Sequence, residues 1–244
     1  SRVDSLLSNM TLRQKITQMI MVDFRQWKTA DEEAKSDFTK MNSEVQKIVE
    51  DYDFGSVIFF ANNIKETEQS FNLTMDLQKA ATKDNGIPLL ITTDQEGGIV
   101  YRLGSGTALP GNMALGATGD VNNAKIAGEI IGSELSSLGI NTTLAPVVDV
   151  NNNANNPVIG LRSYGEDAEM VGKMASAEIE GLAEYNVIGC AKHFPGHGDT
   201  ATDSHYGLPM VNKSKEELLN NELKPYQVAI NQGIEMIMSA HILY

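Results

Sequence analysis

Cysteine is almost absent: the 244-residue chain carries one, Cys190. A single thiol excludes an intrachain disulfide and a cysteine-rich metal site, although it does not fix the compartment. Long apolar runs are missing too. The longest covers residues 57–61, far short of the ~20 residues that a membrane-spanning helix needs, so no membrane-spanning segment is expected. Basic residues are in deficit, with 19 Lys and Arg against 32 Asp and Glu and a formal net charge of −13. Such a chain repels phosphate backbones, which excludes nonspecific nucleic-acid binding and leaves no nucleic acid among the expected partners. Ser1 is preceded by no initiator Met and followed by no basic, apolar leader, which leaves a processed, secreted or lipid-anchored precursor open. What is present is globular: 41% hydrophobic and 21% charged residues suffice for a core and exclude a disordered or fibrous chain.

Six short apolar or β-rich runs recur, at residues 19–24, 55–61, 88–93, 142–150, 187–191 and 235–240. Helical patterns separate them. Thr11 and Gln14 have capping-box spacing and open a first helix. Ala127, Ile130, Ile131, Leu135 and Leu138 share one helical face, with Gly139 as the stop. Ser214 and Glu217 form another capping box, Pro225 breaks that helix and starts a second segment, and Gly233 ends it. Strands that alternate with helices and are apolar on both faces predict parallel βα units. The charged stretch 28–53 reads as a solvated helical insertion. The apolar end at residues 238–244 gives the expectation that the chain is cut short. Polar, glycine-rich clusters follow three of the runs, at 94–98, 149–165 and 192–207. In a parallel α/β fold these are the C-terminal strand ends, where sites are built.

All four histidines lie beyond residue 190, and His193, His197 and His205 fall in one glycine-broken segment. A surface loop with incidental histidines is the plainest reading. A metal site is a second, with His193, His197, Asp199, Asp203 and His205 as donors, but no His-Glu-x-x-His pair is present. Acid–base chemistry is the third. Asp203 and His205 are two apart, so a turn can aim the carboxylate at the imidazole, fix its tautomer and favour its protonated form. A glycine-rich loop can bring such a pair in after substrate binds.

The run Lys192-His193-Phe194-Pro195-Gly196-His197-Gly198-Asp199, continuing to Asp203-Ser204-His205 and Leu208-Pro209, closely resembles the signature of bacterial β-N-acetylglucosaminidases of glycoside hydrolase family 3. Asp94-Gln95-Glu96-Gly97-Gly98 resembles the family's motif after its third strand. Residues 144–149 with 156–165 resemble the segment after the fourth, and residues 237–241 resemble the sixth strand. The similarity extends to the opening residues 10–19 and covers essentially the whole chain.

The resemblance implies an α/β fold of the (β/α)8 TIM-barrel type, incomplete, with about six βα units in one catalytic domain over residues 1–244. It implies removal of terminal β-linked N-acetylglucosamine from chitin-like or cell-wall-derived saccharides, including the unit joined to N-acetylmuramic acid. By matched position, Asp94, Arg162, Lys192 and His193 bind the sugar, and His205 is the general acid/base oriented by Asp203. No cofactor and no metal are implied. The chemistry suits the types: Arg and Lys donate to hydroxyl oxygens and Asp accepts from hydroxyls. The family's nucleophilic Asp lies on the seventh strand, beyond Tyr244, so the expectation is that this chain alone lacks it. An extracellular or cell-envelope location, that of a processed or lipid-anchored precursor, is the expectation over a cytoplasmic one.

Each residue also has a structural reading. Asp94 can cap a helix after Gly97 and Gly98, Arg162 can pair with Glu166 or Asp167, and Lys192 and His193 can be rim residues. Glu96 reads as structural, His197 and Asp199 as shaping the loop, and His241 as either site floor or a structural histidine. A phosphorylase, a catalytically inactive sugar-binding module and a metal-dependent hydrolase are the competing functions.

Overall fold

The computed structural model describes residues 1–244, which fall into two compact units. The first comprises residues 1–93, 102–105 and 137–141, the second 94–101, 106–136 and 142–244.

The first unit holds α1 (Arg2–Asn9), α2 (Leu12–Thr17), β1 (Met21–Asp23), β2 (Gln26–Trp27), β3 (Ser36–Asp37), α3 (Ser43–Tyr52), β4 (Ser56–Phe59), α4 (Thr67–Ala81) and β5 (Leu90–Thr93). Strands β1, β4 and β5 run parallel in chain order, with Val22 opposite Val57 and Val57 opposite Ile91. Val57, Phe59 and Ile91 are buried, as are Leu73 and Leu77, one turn apart on α4. Two expectations are corrected here. The Thr11 capping box does open α2, but α1 precedes it, capped by Ser1 with Asp4 in the reciprocal position. The stretch 28–53 is not one solvated helix. It contains β3, antiparallel to β2, and α3, whose Val45 and Val49 are buried. The reason is apolar anchoring: Phe24 packs against Trp27 and Phe38, and valines four apart give α3 an inward stripe.

The second unit holds α5 (Asn112–Thr118), α6 (Val121–Ser137), β6 (Thr142–Thr143), a 3₁₀ turn (Gly160–Arg162), α7 (Ala168–Glu184), β7 (Cys190–Phe194), α8 (Lys215–Asn220), α9 (Lys224–Gln232) and β8 (Met236–Ser239). Parallel bridges join Thr142 to Ile188 and Val147 to Lys192, and β7 pairs β8 in parallel with Ala191 opposite Ile237. Three more parallel strands therefore follow chain order, and neither unit's ladder closes on itself. All six expected runs contain strand, but β1 and β8 are not buried on both faces. Within its own unit each has one ladder partner, and Ile237 is 45% exposed.

On α6 the expected face is inward at Ala127, Ile131 and Leu135, whereas Ile130 is only partly buried. Glycines bring α6 and α7 into backbone contact: a Cβ on Gly128 would stand 2.3 Å from the Glu178 carbonyl oxygen, and one on Gly181 2.3 Å from that of Lys125. Val148, Val171, Met174, Ala191 and Tyr226 pack as one core. The break at Pro225 and the stop at Gly233 hold, with Gly233 in the left-handed conformation.

Glu178 is buried in this core. Tyr164 Oη donates to its Oε2, and Oε1 has no partner. Burial raises its pKa to about 7; the Tyr164 hydrogen bond and Lys192 pull it down, and Glu96 pushes it up. A carboxyl raised in the folded state costs stability as pH climbs from its unfolded value near 4.5 through 7, and the cost is constant above that. Glu178→Gln keeps an acceptor for Tyr164 and cannot ionise. In urea melts it should match or fall below wild type at pH 5 and gain up to a few kcal/mol at pH 8, at ~1.4 kcal/mol per pKa unit. A stability difference independent of pH would contradict this.

Candidate active site

A buried charge cluster lies in the second unit. Lys192, in the middle of β7, is 2% exposed. Its Nζ lies 2.9 Å from Asp94 Oδ1 and 2.7 Å from Glu96 Oε1. Arg162 grips the same Glu96 with both arms of its fork, Nε to Oε2 at 2.9 Å and Nη2 to Oε1 at 2.7 Å, and its Nη1 donates to Val158 O at 3.2 Å. Burial pushes the Glu96 pKa up, but the two cations outweigh it and bring it down to about 2. The carboxylate also holds Arg162 ionised against its own burial. Two cations on two carboxylates are the arrangement in which buried charges are tolerated.

Local structure aims these groups. Asn156 Oδ1 accepts from the Val158 and Ile159 amides and sets up the 3₁₀ turn that carries Arg162. Asn112 Nδ2 donates to Arg162 O at 2.9 Å. In β7, Ala191 packs into the core while its neighbour Lys192 faces the cluster, as strand alternation requires.

His193 is next along β7, joined to Lys192 by a cis peptide. Its Nδ1 lies 2.8 Å from Asp149 Oδ2. The other oxygen, Asp149 Oδ1, accepts from the amides of His193 at 3.1 Å and His197 at 2.7 Å. Asp149 is fully buried, which raises its pKa, yet His193 and these amides hold it below the usual carboxylate range. With Nδ1 committed to Asp149, the other ring nitrogen, Nε2, remains for a ligand. His197 packs edge-on to His193 and bonds Thr200 Oγ1 at 2.6 Å, and burial lowers its pKa. It shapes the loop.

The Asp203–His205 pair forms as the spacing predicts. Asp203 Oδ1 lies 2.7 Å from His205 Nδ1 and accepts from the His205 amide at 2.9 Å. These two bonds lower the Asp203 pKa. The imidazole is 77% exposed. The structure thus gathers Asp94, Arg162 and Lys192 around Glu96 and puts His193 beside them, while the dyad stands out in solvent. The intervening Ser204 Oγ, 3.4 Å from His197 Nε2, is the dyad's link to the cluster's neighbourhood.

The structural alternatives resolve differently for each residue. Asp94 caps no helix near Gly97 and Gly98, since the next one is α5, with Gly111 at its N-cap. Arg162 pairs with Glu96, whereas Asp167 caps α7. Lys192 is too buried for a rim residue. His241 is exposed. No three His, Cys, Asp or Glu side chains gather in a way that could hold a metal ion, so the five donors of the metal reading do not meet. Sequence reasoning missed Glu96 as the hub and Asp149 as the histidine's partner. The available signal was that each is a carboxylate near the C-terminal end of an apolar run. Glu96 and Arg162 also line a cavity of about 300 Å³ with Gly98, Ile99, Pro110 and Met113.

The Glycosyl hydrolase family 3 N terminal domain matches residues 11–244. The chain belongs to this family. Among curated relatives, Beta-hexosaminidase A of Pseudoalteromonas piscicida is 40% identical over 96% of this chain and 41% of the relative's length. Among solved structures, a glycoside hydrolase family 3 beta-N-acetylglucosaminidase from Paenibacillus sp. str. FPU-7 superposes with a TM-score of 0.88 at 42% identity, covering 96% of this chain and 42% of that one. NagZ from Neisseria gonorrhoeae, in complex with N-trifluoroacetyl-D-glucosamine, superposes with a TM-score of 0.82 at 31% identity, covering 92% and 64%. The chain therefore spans about two fifths to two thirds of the length of these relatives. Its fold is the family's α/β barrel architecture in incomplete form, with the six parallel strands described above.

Proposed function

We propose that these 244 residues are the N-terminal part of a single barrel domain in a retaining β-N-acetylglucosaminidase, which removes terminal β-linked N-acetylglucosamine from chitin-like or cell-wall saccharides. The observation that carries the reading is the Asp94–Lys192–Glu96–Arg162 cluster with His193 beside it: buried ionic donors and acceptors of the kind that bind vicinal hydroxyls. Asp94 accepts from sugar hydroxyls, Lys192 and Arg162 donate, and His193 Nε2 faces a further hydroxyl. The naming of several relatives as hexosaminidases or N-acetylglucosaminidases supports the same sugar.

His205 is the acid/base in this reading. A carboxylate attacks the anomeric carbon, the glycosidic C–O bond breaks, and the leaving oxygen takes the proton from His205 Nε2. Nε2 then takes a proton from water, which attacks the same carbon and releases the carboxylate. The attacking carboxylate belongs to a segment outside these residues. Glu96 is held by two cations, Asp149 by His193 and two amides, and Asp94 by Lys192, so no carboxylate of the cluster is available for attack.

The test uses the full-length protein with a β-linked N-acetylglucosaminyl disaccharide, with and without phosphate, followed by NMR. Free β-anomer released first, at a rate independent of phosphate, is expected. A sugar 1-phosphate would instead establish a phosphorylase, and saturable binding without turnover a binding module. Residues 1–244 produced alone should give essentially no turnover. Robust hydrolysis by them would show that the nucleophile lies within the chain.

A further inference from the structure

The segment that carries the dyad has two parts of opposite character. Its base is buried and densely bonded. Asn156 Nδ2 donates to His197 O at 2.8 Å, Gly198 O at 3.2 Å and Thr200 Oγ1 at 3.2 Å, and Asp149 receives the His197 amide. Gly198 sits so close to the 149–150 segment that a Cβ would lie 1.6 Å from Val150 O. The tip is exposed, with Tyr206 at 91% and Leu208 at 68%.

Asp199 stands at the junction. Its Oδ2 lies 2.8 Å from Lys213 Nζ. Lys213 is beyond the tip, so this ion pair bridges the neck of the excursion through residues 200–212, which includes both dyad members. Lys213 is itself held from behind by Glu222 Oε1, which also accepts from Asn152 Nδ2 at 2.8 Å. Glu222 is 2% exposed. The crosslink is therefore seated on a buried anchor and differs from an exposed surface pair, which contributes little. Closing a loop at its neck removes conformations from the tip without touching it.

We propose that Lys213, seated on Glu222, is a positioning residue that closes the neck of the dyad loop through Asp199 and so sets the approach of His205 to the leaving-group oxygen. The inference rests on the acid/base reading of His205. An opened neck spreads the imidazole over more positions, few of them within hydrogen-bond reach of that oxygen. In the bond-breaking step the loss falls on a leaving group that needs the proton.

Asp199→Ala in the full-length enzyme is the decisive variant, because it breaks the neck while leaving Lys213 paired with Glu222. Lys213→Met is less clean, since it strands a buried Glu222 whose Oε2 already lacks a partner. Asp199→Ala should lower kcat/KM about ten- to a hundredfold on a disaccharide and less than about twofold on an activated aryl glycoside, as for a misplaced catalytic group. In a His205→Ala background it should cause no further loss, and Lys213→Arg should stay near wild type. Equal losses on both substrates, or a loss additive with His205→Ala, would assign the pair a merely structural role and overturn the proposal. If His205→Ala itself shows no leaving-group dependence, the acid/base reading fails and the proposal with it. If His205→Ala behaves as proposed but Asp199→Ala matches wild type, this inference alone falls.

Discussion

His205→Ala should lower kcat/KM for cleavage of a disaccharide by the full-length enzyme about 10²–10⁴-fold, the usual worth of a positioned general acid, while kcat/KM for an activated aryl glycoside falls far less. The difference comes from the leaving group. A sugar alkoxide is a poor one and needs its oxygen protonated as the bond breaks, whereas an activated phenolate departs unaided. The second step, in which Nε2 takes a proton from water, is slowed for both substrates alike. With the aryl glycoside the covalent intermediate should therefore accumulate, and a burst of phenol should precede a slow steady state. Asp203→Ala should give a weaker form of the same pattern. It removes the group 2.7 Å from Nδ1, and with it the tautomer control and the partner of the developing imidazolium, but it leaves the imidazole. Equal losses of kcat/KM on the two substrates, with no burst, would remove His205 from the acid role.

The parallel strands were legible in the sequence because each is a short apolar run between helical patterns, and the second capping box, Pro225 and Gly233 marked their helices by local chemistry alone. Stretch 28–53 was misread because its charges outnumber its anchors: Val45 and Val49 are two residues among many polar ones, and a hairpin as short as β2–β3 leaves no alternation to detect. The Asp203–His205 contact could be read because a two-residue separation allows little else. The Glu96 hub could not, since its partners Arg162 and Lys192 lie 66 and 96 residues away. Pairings at that range are set by the strand ends coming together, which periodicity does not report. The dyad's exposure was equally hidden: spacing predicts the pair but not where the loop that carries it stands.

Lys192→Met should be the most destabilising single change in the cluster, by about 3–5 kcal/mol, the usual result of removing one partner from a buried ionic group. Lys192 is fully enclosed and lies within 3 Å of both Asp94 and Glu96, so its loss takes a buried cation from both carboxylates. The pH dependence identifies the cause. Glu96 is held at about 2 against an ordinary 4.5, so its contribution is complete above pH 4.5 and disappears as pH falls toward 2. Without Lys192 the folded-state pKa moves up, the contribution shrinks, and what remains is lost at higher pH. Acid titration of the full-length protein should show Lys192→Met unfolding at a higher pH than wild type, and adding Glu96→Gln should abolish most of that shift because the carboxyl that Lys192 holds ionised at low pH is gone. Sugar binding should weaken in parallel at neutral pH, where the variant is still folded, since the donor to the hydroxyls is gone. A variant within about 1 kcal/mol of wild type, the range of an exposed pair, with an unchanged acid midpoint, would mean that the Asp94–Lys192–Glu96 contacts do not hold this cluster together.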